Sequence, residues 1–347
     1  MKKIIMWMLV LALLVGIMLT GCAAPAPVET GSDAAGDAAA KETIRIYVLM
    51  PNAGDPYFQN KSYGYSLGQA AAEDEFPGVT VEVKLFDAGG YQNASAQVAQ
   101  MEDAIQSGVD GIVLTPCDSE ALVPVTKQAL AAGIVVINDD IKVNTQCTSE
   151  VRENSYRAGQ RVGMWLANEM GYKGNVLLMK GPAGADLFVQ RGNGILDVLK
   201  NFENIKILDE QFQQDDVVAG KSTIEDWIER FGKDIDALYI HGSVQAVAAA
   251  ESFKAAGFNK GEVKIVSFDF TEEANEYLAD GWIAGLVPAQ PVKIARTTVL
   301  FAARAIMGVE VPQTIFSTDD IPVSTEDFPT FDNSEAMAPA GWTPKLS

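Results

Sequence analysis

The sequence predicts an α/β fold made of two doubly wound parallel-sheet domains, and three observations lead to it. Short aliphatic runs alternate with alanine-rich runs, a pattern typical of strands joined by helical crossovers. The same alternation begins again after a polar stretch, IKVNTQCTSEVREN, at 141–154. The part of the chain with this pattern spans about 300 residues, more than one typical domain.

The first half contains four strand-like runs with three helix-like runs between them. In chain order they are TIRIYVLM, the helix-like 55–75, VTVEVKLFD, SAQVAQMEDAIQSG, GVDGIVLTP, SEALVPVTKQALAAG and GIVVIND. The strands are rich in Val, Ile and Leu, so we expect them to be buried in a parallel sheet whose βαβ units are right-handed.

The second half repeats this order, beginning with a helix. The successive runs are SYRAGQRVGMWLANEMG, NVLLMKG, FVQRGNGILDVLKNF, KILDEQF, KSTIEDWIERFG, IDALYIHG, VQAVAAAESFKAAG, VKIVSFD, EEANEYLADG, IAGLVPA and the long helix PVKIARTTVLFAARAIMG. We therefore expect about five parallel strands in each domain.

The N-terminus has the features of an export signal. Lys2 and Lys3 precede an apolar run at 4–18, which predicts a signal peptide at 1–21. The following LTGC resembles the bacterial lipobox, so we expect lipidation, including palmitate, on Cys22; the alternative is a plain signal peptide. Residues 22–42 are small and polar and predict a flexible tether. The folded part would be held at the outer face of the cytoplasmic membrane or in the periplasm.

The net charge excludes several partners. The formal charge is −20, and without residues 1–21, which carry two lysines and no acidic residue, it is −22. This balance argues against binding to nucleic acid or to anionic lipid. Contact with the membrane is therefore expected through the lipid anchor only.

Polar residues follow directly where several predicted strands end. The clearest case is IVVINDD, in which an aliphatic run ends on Asp139 and Asp140; His241 and Asp269 occupy similar positions. In open parallel sheets, ligands bind beyond the carboxyl ends of the strands. Polar strand ends from two facing domains therefore predict a binding cleft.

The order and spacing of several motifs resemble the periplasmic sugar-binding proteins of the ribose and galactose type. These motifs are DPYF, GVDGIVLTPCDSEALVPVTKQALAAGIVVINDD, ENSYRAG, GPAG with QRG, VSFD and GWIAGLV, and together they cover about residues 43–320. The resemblance implies a type I periplasmic binding protein, monomeric and without a cofactor. It would bind a small sugar or polyol and interact with the permease and ATPase subunits of an ABC importer.

The resemblance also implies a set of ligand-binding residues. An aromatic pair that would cover the apolar face of a sugar falls on Tyr57 and Phe58, although both rings are alternatively core residues. The polar residues that the resemblance implies are Asp55, Asp140, Asp186, Arg191, Asp269 and Gln290, and the polar strand-end residues Asp139 and His241 complete the predicted ligand-binding set. Carboxylates accept hydroxyl hydrogen bonds, and a guanidinium donates to neighbouring oxygens.

Two departures from the family pattern argue against ribose itself. Ile141 stands where the family has an arginine, and Gly242-Ser243 replaces an Asn-Asp pair. Asp186 lies where relatives that carry autoinducer-2 place a ligand aspartate. A receptor for such a signal therefore stays open, as does a sensor for a membrane kinase or chemoreceptor.

An enzyme and a transcription regulator are the other classes to weigh. His241 is the only histidine, and no GxSxG elbow follows a predicted strand, because GYSLG at 64–68 lies inside the helix-like run 55–75. No phosphate loop or CxxC motif occurs either, so neither catalysis nor metal binding is expected. A regulator would need a DNA-binding segment in place of the export signal. We therefore expect a binding protein and not an enzyme.

Each domain is predicted from discontinuous segments. The first would combine 43–151 with 290–317 and the second 152–289 with 318–335, followed by a tail at 336–347. The chain would then cross between the domains three times, forming a hinge that permits closure around a ligand.

Besides Cys22, the chain has two cysteines, Cys117 and Cys147. Each follows one of two adjacent predicted strands, so we place both at the same sheet edge and expect a disulfide. Export makes this pairing chemically possible. Two free buried thiols are the alternative.

Overall fold

The computed structural model describes residues 41–317 and 321–344. The predicted signal peptide, Cys22 and almost all of the tether lie outside these residues. Across the described ranges, no helix has both the length and the apolar character needed to cross a membrane.

The first sheet consists of six parallel strands. They are β1 (Thr43–Met50), β2 (Thr80–Asp87), β3 (Gly111–Leu114), β4 (Val135–Asp139), β5 (Ser149–Glu153) and β11 (Thr314–Ser317), in the order β2-β1-β3-β4-β5-β11. The helices of this domain are α1 (Pro56–Glu75), α2 (Ala94–Ser107), α3 (Val123–Ala131) and α9 (Pro291–Ile306).

The second sheet also has six strands. They are β6 (Gly174–Lys180), β7 (Ile205–Phe212), β8 (Ala237–Ile240), β9 (Lys264–Phe268), β10 (Gly285–Val287) and β12 (Val323–Ser324), in the order β7-β6-β8-β9-β10-β12. Only β12 is antiparallel among these strands, pairing with β10. The helices are α4 (Ser155–Glu169), α5 (Asp186–Leu199), α6 (Val217–Phe231), α7 (Ser243–Ala255) and α8 (Glu272–Asp280).

Both sheets have the same doubly wound order, so the predicted fold class is confirmed. In each sheet the second strand lies on one side of the first and the third strand lies on the other. The strand order therefore reverses at β1/β3 in the first sheet and at β6/β8 in the second. Such switch points open crevices at the carboxyl ends of the strands. The sequence pattern missed β5, because SEVRE is mostly charged, and it missed the short β11 and β12.

The core of each domain covers both faces of its sheet. Ile44, Ile46 and Val48 alternate along β1 and pack with α9, whereas Leu49 faces the opposite layer with α2 and α3. This alternation follows from the two-residue period of a strand. In the second domain, Leu177 and Leu178 divide between two layers in the same way.

The chain crosses between the domains where consecutive elements belong to different sheets. The crossings lie between β5 and α4, between β10 and α9, and between β11 and β12. The segment predicted as a tail also returns to the first domain. Ala338 N–H donates to Asn60 Oδ1 at 2.9 Å, and the Trp342 ring lies 5.4 Å from that of Tyr63.

Glycine allows α4 to approach α5 closely. A Cβ atom at Gly159 would lie 2.1 Å from the Arg191 carbonyl oxygen, so alanine there must push the helices apart. We expect Gly159→Ala to lower the free energy of unfolding by about 2 kcal/mol, measured by urea denaturation. Gly220→Ala is the matched control, because its Cβ meets atoms only at 3.6 Å; equal effects would contradict this packing.

Candidate functional site

A cavity lies between the carboxyl edges of the two sheets. Its lining comes from both domains and comprises Asp55, Tyr57, Phe58, Tyr91, Asp140, Ile141, Leu187, Phe188, Arg191, Asp215, His241, Gly242, Ser243, Val244, Gln245 and Asp269. Its volume of about 40 Å³ holds roughly three water molecules. The two domains therefore meet closely around a small polar space.

Seven residues of the predicted set lie around this cavity. They are Asp55, Tyr57, Phe58, Asp140, Arg191, His241 and Asp269. Each is at or just beyond the carboxyl end of a strand, or in the first turns of the following helix, as the doubly wound topology requires.

The two adjacent acids after β4 have different surroundings. Asp139 is fully buried and accepts hydrogen bonds from Lys61 Nζ at 2.8 Å and Thr115 Oγ1 at 3.0 Å, and also from the Tyr65 hydroxyl. Asp140 has a φ of +66°, and its Oδ2 accepts from the Tyr57 hydroxyl at 2.6 Å. Asp139 therefore points into the core and lies outside the cavity lining, and its predicted contact with a ligand stays a prediction.

Aromatic rings from both domains face the cavity. Tyr57 and Phe58 meet edge to face, with ring centroids 5.4 Å apart. Across the cavity, the Phe188 ring lies 5.6 Å from Tyr91 and 5.5 Å from His241. Phe58 also belongs to the core of the first domain, so its ring both packs in that core and borders the cavity.

Arg191 is positioned by its neighbours in the second domain and in β5. Its Nε and Nη2 donate to the two carboxylate oxygens of Glu153 at 2.7 and 2.9 Å. Its guanidinium stacks 3.4 Å from the centroid of the Phe268 ring. Burial disfavours the charged form, but Glu153 holds the pKa of Arg191 above its usual value.

Asp55 and Asp215 bring carboxyl groups from opposite domains together. Asp55 caps α1 by accepting from Tyr57 N–H at 2.7 Å. Burial and then the charge of Asp215 raise the pKa of Asp55 to about 7. Burial opposes ionisation of Asp215 too, but hydrogen bonding to His241 and Gln245 lowers its pKa. The pair thus favours one protonated and one ionised carboxyl group.

Asp269 and His241 each leave a buried atom without a hydrogen-bond partner among the described residues. These atoms are Asp269 Oδ1 and His241 Nδ1. The other His241 nitrogen, Nε2, lies 3.2 Å from Asp215 Oδ1. Burial raises the pKa of Asp269 well above its usual range, although Arg191 opposes this.

Besides Asp139, two more predicted site residues lie outside the cavity lining. The Asp186 side chain accepts from Gln190 Nε2 at 3.1 Å, at the first residue of α5. Gln290 lies in the crossing between β10 and α9 with a φ of +52°, and its Oε1 accepts from Lys293 Nζ at 3.2 Å. The structure therefore places Gln290 in the connection between β10 and α9 and Asp186 at a helix start.

The residues that sequence reasoning missed occupy loops and helix starts at the same edges. Tyr91 follows β2, and Asp215 follows β7. Phe188 lies three residues before Arg191 on α5, a spacing that places both on one helix face. Of these residues, Phe188 is the one that the sequence could have revealed, through its spacing from Arg191.

The predicted disulfide is not formed, because Cys117 and Cys147 are free and buried. Cys117 Sγ is directed at the Gly90 carbonyl, 3.6 Å away, beyond the carboxyl end of β3. β5 runs parallel to β4, so the connection between them returns to the amino end before β5 begins. There, next to Cys147, Thr148 N–H donates to the Val136 carbonyl at 2.8 Å. The two thiols therefore lie at opposite edges of the sheet.

Both thiols should react slowly in the folded protein. Burial raises the pKa of each to about 12, and the thiolate is the reactive form. We expect iodoacetamide at pH 8 to modify both cysteines readily in urea but slowly without it, as followed by mass spectrometry. If the mass of the protein increased by two hydrogen atoms on reduction, a disulfide would be present instead.

Comparisons with known proteins agree with this architecture. Residues 46–310 match the periplasmic binding protein domain family. The chain is 28% identical over 306 residues to the D-ribose/D-allose-binding protein of Pseudomonas aeruginosa, covering 86% of this chain and 88% of that protein. It is 24% identical over 316 residues to the ribose import binding protein of Bacillus subtilis, covering 91% and 97%.

Solved structures show the same fold. An ABC transporter periplasmic solute-binding protein from Actinobacillus succinogenes, with bound D-allose, has a TM-score of 0.74 at 22% identity, covering 83% of this chain and 100% of that one. A solute-binding protein from Bacillus halodurans, with bound myo-inositol, has a TM-score of 0.75 at 21% identity, covering 85% and 99%. The chain therefore belongs to the periplasmic binding protein family, with the type I fold of these structures.

Proposed function

We propose that this protein captures a small sugar or polyol in the cleft between its domains and delivers it to an ABC importer. The observation that carries the proposal is the convergence of aromatic faces and carboxylates at one cavity, with Tyr57 and Asp140 on one side and Phe188 and Arg191 on the other. Rings cover the apolar C–H face of a sugar, while charged groups bind its hydroxyls. The relatives named above bind such solutes, which supports the same ligand class here.

Ligand capture requires that the cleft opens and closes. We infer a hinge at the three crossings near Arg152, Ala289 and Ser317, dividing the chain into 43–151 with 290–317 and 152–289 with 318–335. Ala289 and Gln290 have φ values of +48° and +52°, a region that costs free energy for residues with a side chain. Such strained connectors are typical of hinges.

We further propose that the exported protein is lipidated at Cys22. Support comes from the LTGC motif after the predicted signal peptide and from the polar segment that follows it. Expressed in a bacterium and labelled with radioactive palmitate, the protein should incorporate label and fractionate with membranes, and Cys22→Ser should do neither. A wild-type protein that is exported without label would contradict lipidation.

The alternatives differ in how well the geometry favours them. The autoinducer-2 alternative depends on Asp186, but Asp186 does not line the cavity. A sensor remains a second candidate, because the fructose-binding periplasmic domain of a hybrid two-component system has this fold at a TM-score of 0.74. A permease and an ATPase encoded beside this gene would favour import, and a membrane kinase would favour sensing.

A thermal-unfolding screen tests the ligand class. The screen adds one compound at a time, chosen from pentoses, hexoses, polyols, autoinducer-2 and amino acids. A ligand present at about 100 times its dissociation constant stabilises the protein that binds it by about 2.7 kcal/mol. We expect at least one sugar or polyol to raise the melting temperature. Stabilisation by amino acids alone would contradict the proposal.

A further inference from the structure

The charges around the cavity do not balance. Four carboxyl groups line it, those of Asp55, Asp140, Asp215 and Asp269, against one guanidinium. That guanidinium, on Arg191, is already engaged by both oxygens of Glu153. The nearest ammonium, on Lys61, lies 2.8 Å from Asp139 and 3.9 Å from Asp140. Lys61 thus offsets Asp139 and part of Asp140, and Arg191 offsets Glu153 and part of Asp269, whereas Asp55 and Asp215 face each other.

Unused hydrogen-bonding capacity accompanies this excess of acids. Asp269 Oδ1 and His241 Nδ1 are buried and have no partner among the described residues, and the His241 side chain is 97% buried, being 3% exposed. A buried polar atom without a partner costs free energy unless a ligand or water satisfies it. Both residues line the cavity, so a ligand there is in a position to reach them.

We propose that the preferred ligand is a polyhydroxylated molecule that carries an ammonium group, which is bound among Asp55, Asp215 and Asp269. Asp55 interacts electrostatically with both of the other two, so it is at the centre of the acidic group. An ammonium has three donors and a positive charge. It therefore supplies donors and a positive charge beside the Asp55 and Asp215 carboxyl groups, which face each other. The inference rests on the proposed function of the cleft.

The protonation of the acids gives this proposal a pH signature. In the closed, ligand-free cleft, burial and Asp215 raise the pKa of Asp55 to about 7, so protons take the place of cations. The charged or titratable groups that face Asp55 are Asp140, Asp215, His241, Asp269, Tyr91 and Arg191. A neutral polyol leaves the carboxyls uncompensated, so closure around it takes up protons and its affinity falls as pH rises through about 7.

An ammonium ligand reverses this dependence. It stabilises the ionised form of Asp55, so that its affinity is retained or increases between pH 6 and pH 8, until the amine itself loses its proton. The direction of the pH dependence therefore distinguishes a charged ligand from a neutral one.

Matched pairs of ligands test the inference by calorimetry at pH 6 and pH 8. The pairs are glucosamine and glucose, galactosamine and galactose, and 1-amino-1-deoxyglucitol and glucitol, with the N-acetyl sugars as uncharged amine derivatives. At pH 8 for 1-amino-1-deoxyglucitol, and at pH 6 for the two amino sugars, whose amines lose their protons near pH 8, we expect one amine to bind at least about tenfold more tightly than its hydroxyl partner, and its N-acetyl form to lose that gain.

The variant Asp55→Asn examines the same point within the protein. Asparagine caps a helix about as well as aspartate, so α1 keeps its start while the charge is lost. The ratio of amine to hydroxyl affinity should fall about tenfold, whereas Asp87→Asn, outside the cavity, should leave the ratio unchanged. Thermal unfolding of both variants checks that they fold.

The outcomes separate the two proposals. If neutral sugars or polyols bind as tightly as every amine, with affinity that falls between pH 6 and pH 8, the ammonium inference is wrong and the proposed function stands. If no sugar, polyol or amine in the set binds, the proposed function itself fails and the inference fails with it.

Discussion

Replacing Asp139 with alanine should lower the free energy of unfolding by about 3–5 kcal/mol. Lys61 and Asp139 are both fully buried, and Lys61 Nζ donates to Asp139 at 2.8 Å. Without the carboxylate, an uncompensated ammonium stays in the core, and the Tyr65 and Thr115 hydroxyls lose their acceptor. Urea denaturation followed by circular dichroism measures the change.

Two further variants show whether the buried pair is the cause. Asp87 also ends a strand of the same sheet, but it is exposed, so Asp87→Ala should change stability by no more than about 0.5 kcal/mol. Adding Lys61→Met to Asp139→Ala removes the uncompensated charge and should restore part of the lost stability. If Asp139→Ala kept wild-type stability but bound the ligand weakly, Asp139 would be a ligand-binding residue, and its assignment to the core would be wrong.

Replacing Asp140 with asparagine should weaken ligand binding by about 2 kcal/mol, or roughly 30-fold. The Asp140 carboxylate lines the cavity, and Tyr57 already donates to one of its oxygens. Asparagine has an NH₂ group, a donor, in place of the second carboxylate oxygen, which is an acceptor. A ligand hydroxyl or ammonium that donates to that oxygen therefore loses its acceptor. Asparagine is chosen because it tolerates the left-handed φ of +66° at this position better than alanine does.

Calorimetry of this variant needs a control at the same sheet edge. Asp87→Asn makes the same chemical change outside the cavity, so it should bind with wild-type affinity. Equal thermal stability of the two variants would show that the loss belongs to binding. A loss below about 0.5 kcal/mol for Asp140→Asn, within the scatter of surface changes, would place the ligand elsewhere.

The sequence predicted the fold well because buried parallel strands are nearly continuous apolar runs. β5 was missed for the same reason, since its residues include Glu150, Arg152 and Glu153. These charges are accommodated by pairing: Glu153 with Arg191, and Arg152 with Glu150 at 2.9 Å. Glu153 and Arg191 are far apart in the chain, and hydrophobic periodicity reveals neither of these ion pairs.

The site was predicted in part, because strand ends are visible in the sequence but side-chain directions are not. Asp140 was correctly placed at the cavity, whereas its neighbour Asp139 points into the core and binds Lys61. Asp215 and Tyr91 were missed because they lie in loops without a periodic pattern. The cysteine prediction failed because it ignored the return of the chain to the amino edge before β5.

A structure of the protein with its tightest-binding ligand tests the central claim most directly. We predict that the ligand occupies the cavity between the two sheets, with one polar atom about 2.7–3.2 Å from an Asp140 carboxylate oxygen. Its apolar face should lie against Tyr57 or Phe188. A ligand bound outside this cavity, with Asp140 still held by Tyr57 alone, would contradict the account.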